Sequence, residues 1–400
     1  MNTNFTMYEK TRQSSKGSMK FAVCILVSMA MLLGAASQAT AGLPGVHTGT
    51  TLTGLFLGGN YIELGIRTNS DIGKFGADDK PANFLGRQGG LVGIGMVGDS
   101  DGFGVGNDLR IDYFLPGSPE ESFSAGYKIA GTETTGKNFA TTVTDTSSGN
   151  TLSATVVATL SGNLEVRQEI SFNVNDKVFK NTVTLKNVGS VNLDNVRFMR
   201  SVDPDNTLDM GGFFTTIQTV ERTMSSGDAQ SKVTGVSLAD AYSAAAGVQT
   251  KIAYYTADLL GKVSFNPTNG LIPGGVYDPN VYDSAQSKGS TATVDGYISI
   301  AFDVGTLTPG ISKSFIYFTE LKTNAVEYAL TLNIAGAGTG NVTGSTADGT
   351  YESGTAITLA ATPTGTSIFA GWSPAATCVN GFSLTTATTC TAKQGNRMKN

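Results

Sequence analysis

The segment LEVRQEISFN, residues 164 to 173, constrains the fold more than any other stretch. Leu164, Val166, Ile170 and Phe172 share one parity, interrupted only by Gln168, while Glu165, Arg167, Glu169, Ser171 and Asn173 hold the other. A period of two is the signature of a strand with one dry face and one wet face, and a helix cannot present these residues as a stripe. VFKNTVTLKN follows after an Asn175-Asp176 turn, with Phe179, Val183 and Leu185 on one side. Val191 and Leu193 are then followed by Val196 and Phe198, so the apolar parity slips at Asp194-Asn195. A β-bulge is the usual cause of such a slip. Later, Ile298, Ile300, Phe302 and Val304 alternate, the turn GTLTPG intervenes, and SFIYF reads as a strand buried on both faces.

Glycine supplies 50 of the 400 residues and charged residues only 15%, so turns are frequent and long polar helices are not expected. Only LADAYSAAAG, residues 238 to 247, has a helix-friendly composition. The expected fold is all-β: a large antiparallel β-sandwich, or the longer supersandwich, over residues 42–322, followed by a small β module over 327–392 and a disordered tail at 393–400.

Residues 1–41 read as an export signal. Lys10, Arg12, Lys16 and Lys20 precede the apolar run Phe21 to Ala36, and Ala39-Thr40-Ala41 supplies a small-residue cleavage site. The run falls short of the roughly 20 apolar residues a spanning helix needs, so no membrane span is expected after cleavage. Loss of this segment removes four cations and Glu9 and takes the formal charge from −5 to −8. Such a balance argues against nucleic acid, whose affinity comes from neutralised phosphates. Cys378 and Cys390 remain, and a close pair in an exported chain is expected to form a disulfide. The expected location is secreted or at the cell surface.

Beyond residue 327 the text changes character. Gly336-Ala337-Gly338-Thr339-Gly340 with Val342, Gly354-Thr355 before Ile357 and Leu359, and Phe369-Ala370-Gly371-Trp372-Ser373 resemble the bacterial repeat domain, a divergent internalin-type B repeat of exported and cell-surface proteins. The resemblance implies a small β module, usually in tandem. Here one copy occurs, and the final strand expected after Cys390-Thr391-Ala392 is replaced by the polar tail KQGNRMKN, which suggests a truncated or frameshifted chain. VTLKNVGSVNLDNVRF and VGTLTPGISKSFIYF are similar to hairpins of Ig-like modules in bacterial surface proteins. A long sandwich with these hairpins is also similar to the supersandwich of sugar mutarotases, which use histidines for acid–base work.

GIGMVGDSDGFG, residues 93 to 104, contains G-x-G-x-x-G and G-x-S-x-G at once. A dinucleotide site needs a helix to follow the glycines, and Asp99-Ser100-Asp101-Gly102 opens none while placing carboxylates where phosphate would sit. A Ser100 nucleophile needs a base, nearly always His. The one histidine, His47, lies upstream and reads as an exposed loop residue. What survives is a Gly-rich loop whose Asp99 and Asp101, with Asn107 or Asp108, offer hard oxygen ligands for calcium. A second acidic loop, RSVDPDNTLDMGG, carries Asp203, Asp205 and Asp209, but Leu208 stands where a calcium-binding EF-hand requires glycine. Its alternative reading is an Asx-turn at Asp203 around Pro204.

The functional expectation is an exported, non-catalytic cell-surface or extracellular-matrix protein, adhesin-like, with an extracellular protein or polysaccharide as partner. Two alternatives stay open: a carbohydrate-active enzyme using paired carboxylates such as Asp203 with Asp205 or Glu120 with Glu121, and a carbohydrate-binding protein with structural calcium.

Overall fold

The computed structural model describes residues 45–88, 92–104, 109–239, 248–266, 275–283, 286–324, 327–329, 339–344, 350–352, 356–364 and 389–393. The described residues begin with five short strands, β1 (His47–Thr50), β2 (Gly54–Gly58), β3 (Ile62–Arg67), β4 (Met96–Gly98) and β5 (Ile111–Asp112), paired in that order as one sheet. The long strands follow: β6 (Glu121–Ile129), β7 (Thr132–Lys137), β8 (Ala140–Asp145), β9 (Thr151–Leu160), β10 (Leu164–Asn173), β11 (Val178–Asn187) and β12 (Leu193–Val202). After them come β13 (Thr216–Arg222), β14 (Ser231–Ala239), β15 (Val248–Thr256), β16 (Gly261–Phe265), β17 (Thr291–Val294), β18 (Ile298–Leu307) and β19 (Ser312–Asn324).

These make a nine-stranded antiparallel sheet, β17-β13-β14-β15-β19-β11-β10-β9-β8, and a five-stranded one, β16-β18-β12-β6-β7. Their inner faces meet through aromatic rings: Phe315 of β19 stacks on Phe302 of β18 at 3.9 Å and lies 5.7 Å from Phe198 of β12. The N-terminal sheet enters the same hydrophobic cluster, with Leu55, Leu64 and Met96 joining Val166, Phe179 and Leu321. One sheet face thus serves two partners, and the fold is an all-β sandwich.

The alternation in 164–173 produces β10, and Gln168 keeps the buried parity despite its polarity. The parity slip also appears: β12 shifts register against both β18 and β6 between Leu193 and Arg197, and Asn195 takes a positive φ of 51°. The SFIYF strand differs from expectation. Phe315 and Tyr317 point inward, but Ile316 is 41% exposed and Phe318 half-buried, because the outer face of the nine-stranded sheet meets water. Leu238 and Ala239, expected to begin a helix, end β14 by pairing with Gln249 and Val248, and residues 240–247 lie outside the described residues.

In the C-terminal region, β20 (Glu327–Ala329) pairs with β22 (Thr350–Glu352), while β21 (Thr339–Gly344), β23 (Ala356–Thr364) and β24 (Thr389–Lys393) form a three-stranded sheet. Lys393, placed at the start of the tail by sequence, is the last residue of β24 and pairs with Ala356. The export segment, Cys378 and the Phe369 to Trp372 motif lie outside the described residues. Among the described residues no helix is long and apolar enough to cross a membrane.

Candidate functional site

At the end of β12 the chain leaves the sheet as Asp203-Pro204-Asp205. The Asp203 N–H donates to the Glu120 carbonyl at 3.0 Å, and Pro204 seats on Gly235 of β14, where a Cβ would come within 2.7 Å of Pro204 Cγ. This anchoring leaves both aspartates almost wholly buried, at 3% and 2% exposure. Asp295, just after β17, joins them: one carboxylate oxygen from each of Asp203, Asp205 and Asp295 lies within 4.8 Å of the others. Sequence reading missed Asp295, since only the pairing of Thr216 with Val294 brings its turn to this end of the sandwich.

Asp209, grouped with Asp203 and Asp205 from spacing, goes elsewhere. A 3-10 turn over Leu208–Met210 carries it away, and its carboxylate takes a two-pronged bond from Arg87, with Nε and Nη2 both at 2.6 Å. Asp99 and Asp101 do not join a third acidic side chain in a group of this kind among the described residues. Asp99 is buried after β4 and accepts the Asp101 N–H at 3.3 Å, so it closes its own loop; Asn107 and Asp108 lie outside the described residues.

Burial, then the charges of Asp295 and Glu120, pushes Asp203 up to about 7, and burial, then Asp203 and Asp295, pushes Asp205 up to about 8. Asp203 Oδ1 and Asp205 Oδ1 have no hydrogen-bond partner. Fully buried Gln218 of β13, opposite Gly235, donates from Nε2 to the Gly296 carbonyl and, at 3.2 Å, to Thr216 Oγ1, while its Oε1 is unpartnered. Crowded carboxylates shielded from water either hold protons or share a cation. They are poorly placed for glycoside hydrolysis, which must admit a sugar and a water between the two groups.

The other candidates resolve into structural roles. His47 is no exposed loop residue: it opens β1 partly buried, its Nδ1 lies 2.8 Å from the Gly45 carbonyl and its Nε2 3.5 Å from Glu63, and its ring meets Phe84 edge-on at 4.4 Å. The Ser100 carbonyl accepts Lys177 Nζ at 2.6 Å. Gly93, Gly102 and Gly104 all have positive φ and serve turns around a three-residue strand, and among the described residues no helix follows directly after them. Glu121 is the buried partner of Arg200.

A different surface is open. On the outer face of the nine-stranded sheet one row runs Lys232, Tyr255, Phe318, Lys180, Ser171 across four adjacent strand pairings. The Tyr255 and Phe318 rings stack at 5.1 Å and 16°, both half-buried, and Lys232 Nζ lies 5.3 Å over the Tyr255 ring. Tyr255 and Phe318 line a groove of about 640 Å³ together with Asn173, Asp176, Lys177 and Lys180. Strand alternation sends the neighbouring Tyr254 into the core, at 1% exposure, and leaves Tyr255 facing out.

No family model matches the chain, and no curated protein does. Among solved structures it is similar to a polysaccharide lyase (TM-score 0.33, 10% identity, covering 76% of this chain and 38% of that one). It is also similar to the heparan sulfate lyase HepC from Pedobacter heparinus (0.30, 9%, 80% and 40%) and to the galactosidase domain of an alpha-galactosidase-sucrose kinase (0.32, 7%, 70% and 42%). The chain spans well under half the length of each. Overlaps at this level are likenesses of β-rich architecture and say nothing of chemistry.

Proposed function

We propose that this chain is an exported, non-catalytic β-sandwich protein of the cell surface or extracellular matrix that binds polysaccharide along the outer groove of its nine-stranded sheet. The observation that carries the reading is the stacked Tyr255–Phe318 pair on the outer face of the nine-stranded sheet. Sugar rings present apolar faces to flat aromatic surfaces and hydroxyls to the groups around them. The amide of Asn173, the carboxylate of Asp176 and the ammonium groups of Lys177 and Lys180 supply donors and acceptors along the groove. Export is supported by the basic stretch Lys10 to Lys20, the apolar run after it and the Ala39-Thr40-Ala41 step. The non-catalytic reading is supported by a single histidine already held by Gly45 and Glu63, and by buried carboxylates that do not line the groove.

Affinity electrophoresis of the mature protein through gels containing neutral or uronate-bearing polysaccharides tests the reading. At least one polysaccharide should retard the wild type, and the Tyr255→Ala, Phe318→Ala double variant should run free while keeping its thermal midpoint within a few degrees. Unretarded migration of the wild type across the panel, or equal retardation of a folded double variant, overturns it.

A further inference from the structure

The geometry points to a calcium site at one end of the sandwich, held by Asp203, Asp205 and Asp295 with Gln218 Oε1 as a neutral fourth oxygen. Three carboxylates alone would be an acidic cluster. The independent observation is Gln218, whose side chain is fully buried and whose Oε1 has no partner. Its Nε2 is fixed by the carbonyl of Gly296, the residue next to Asp295, and by Thr216 Oγ1. Gln218 also stands opposite Gly235 in the β13–β14 pairing, and Pro204 packs on Gly235 between the two aspartates. The register therefore brings Gln218, from a separate strand, to the Gly235–Pro204 contact that lies between the two aspartates. Asp203 Oδ1 and Asp205 Oδ1 are likewise buried without a partner.

The donor set is all oxygen, which suits a hard cation and not zinc, whose sites favour nitrogen and sulfur. Size separates calcium from magnesium. Calcium bonds run to about 2.3–2.6 Å, so ligands facing each other across the ion stand roughly 5 Å apart, whereas magnesium requires about 4.2 Å and keeps much of its water. Carboxylate oxygens within 4.8 Å of one another can close on a calcium ion with little movement, and three protein carboxylates exceed the one or two that magnesium sites usually take. Arg87, which meets this loop through Asp209, is committed to that carboxylate, and Arg200 at the start of the loop is committed to Glu121, so neither offers a substitute. An ion here would tie the end of β12, in the five-stranded sheet, to the Asp295 turn after β17 and to β13 in the nine-stranded sheet. It would act on the stability of that end of the sandwich and leave the polysaccharide groove untouched.

The test uses the mature protein stripped with EDTA and dialysed at pH 8. Titration with calcium chloride, followed by calorimetry and by thermal unfolding, should give stoichiometric binding and a midpoint raised by several degrees, with magnesium chloride producing a smaller rise. Asp295→Asn, at the half-exposed member and so tolerated by the fold, should weaken calcium binding by about tenfold or more, as loss of one charged ligand does. Asp209→Asn should bind as the wild type does. Terbium luminescence, read on Asp205→Asn as well, reports site occupancy independently of thermal stability. No binding at millimolar calcium, or unchanged affinity in a folded Asp295→Asn variant, overturns the site, whatever the groove does with polysaccharide.

Discussion

Arg200 of β12 and Glu121 of β6 form an ion pair inside the sandwich with both side chains wholly shielded from water. Arg200 Nη1 reaches Gln168 Oε1 of the opposing sheet at 3.0 Å, Glu121 Oε2 accepts the Phe75 N–H at 2.8 Å, and the guanidinium lies 4.3 Å over the Phe75 ring. Removing one partner of such a pair strands the other charge in a low-dielectric interior, which typically costs about 3–5 kcal/mol. Glu121→Ala should lose that much in urea unfolding. The double variant Glu121→Leu, Arg200→Met should lose less than the single one, since no bare charge remains. A double variant at least as unstable as Glu121→Ala would refute the electrostatic origin of the loss.

The acidic end of the sandwich should make stability depend on pH when divalent ions are chelated. Asp203 and Asp205 are raised to about 7 and 8 from an ordinary 3.8, so the folded chain holds protons that the unfolded chain releases. Their contribution is present below about pH 4 and is lost as pH rises through 7 and 8. The thermal midpoint in EDTA should fall between pH 5 and pH 8.5, and Asp205→Asn should flatten that fall. A slope as steep in the Asp203→Asn, Asp205→Asn double variant would assign it to other groups.

Asn195 tests the bulge in β12. Its φ of 51° is tolerated by asparagine and glycine but strains a β-branched side chain. Asn195→Gly should leave stability within about 1 kcal/mol of the wild type, whereas Asn195→Val should lose roughly 1–3 kcal/mol. The Tyr277 hydroxyl, which donates to the Asn195 carbonyl, should remain bonded in the glycine variant. Chemical unfolding of the two variants side by side gives the comparison.

The strands were legible where one face is dry. β10 announces itself because Leu164, Val166, Ile170 and Phe172 must all turn inward together, and the bulge at Asn195 shows as a broken parity. SFIYF was misread because Ile316 and Phe318 are apolar residues on a wet face, and alternation cannot distinguish an exposed apolar residue from a second buried face. The acidic site was half legible. Asp203 and Asp205 stand out by spacing, but Asp295 and Gln218 come from strands whose neighbours are set by sheet order, which local sequence does not encode. Asp209 misled because a 3-10 turn rotates it toward Arg87.

Arg197 should prove irreplaceable by lysine. Its Nη1 and Nη2 fork onto Asp283 at 2.9 and 2.8 Å, its Nε reaches Asp303 at 2.9 Å, and its plane lies 5.3 Å from the Tyr277 ring centre and 4.8 Å from that of Tyr282. A lysine keeps the charge but loses the fork and the flat stacking surface. Arg197→Lys should loosen the segment around Tyr277 and Tyr282, where Val276 and Val281 pack on Met199 and Ala301. Hydrogen exchange should speed up over residues 275–283 while the core of β12 stays protected.

Gly117 isolates the steric support of the acidic site. With φ at 76°, it lies where an added Cβ would come 2.6 Å from Asp205 Oδ2 and 2.8 Å from the Phe214 ring. Gly131 has a comparable φ of 84° but nothing within 4 Å of the same position. Gly131→Ala should therefore lose only the backbone term, about 1 kcal/mol. Gly117→Ala adds an overpacking cost of roughly 1–3 kcal/mol and must displace Asp205. The displacement has its own signature: a carboxylate moved out of the buried cluster regains water, so Gly117→Ala in EDTA should show a weaker fall of stability between pH 5 and pH 8.5 than Gly131→Ala. Equal losses and equal pH profiles in the two variants would mean that Gly117 does not hold Asp205 in place.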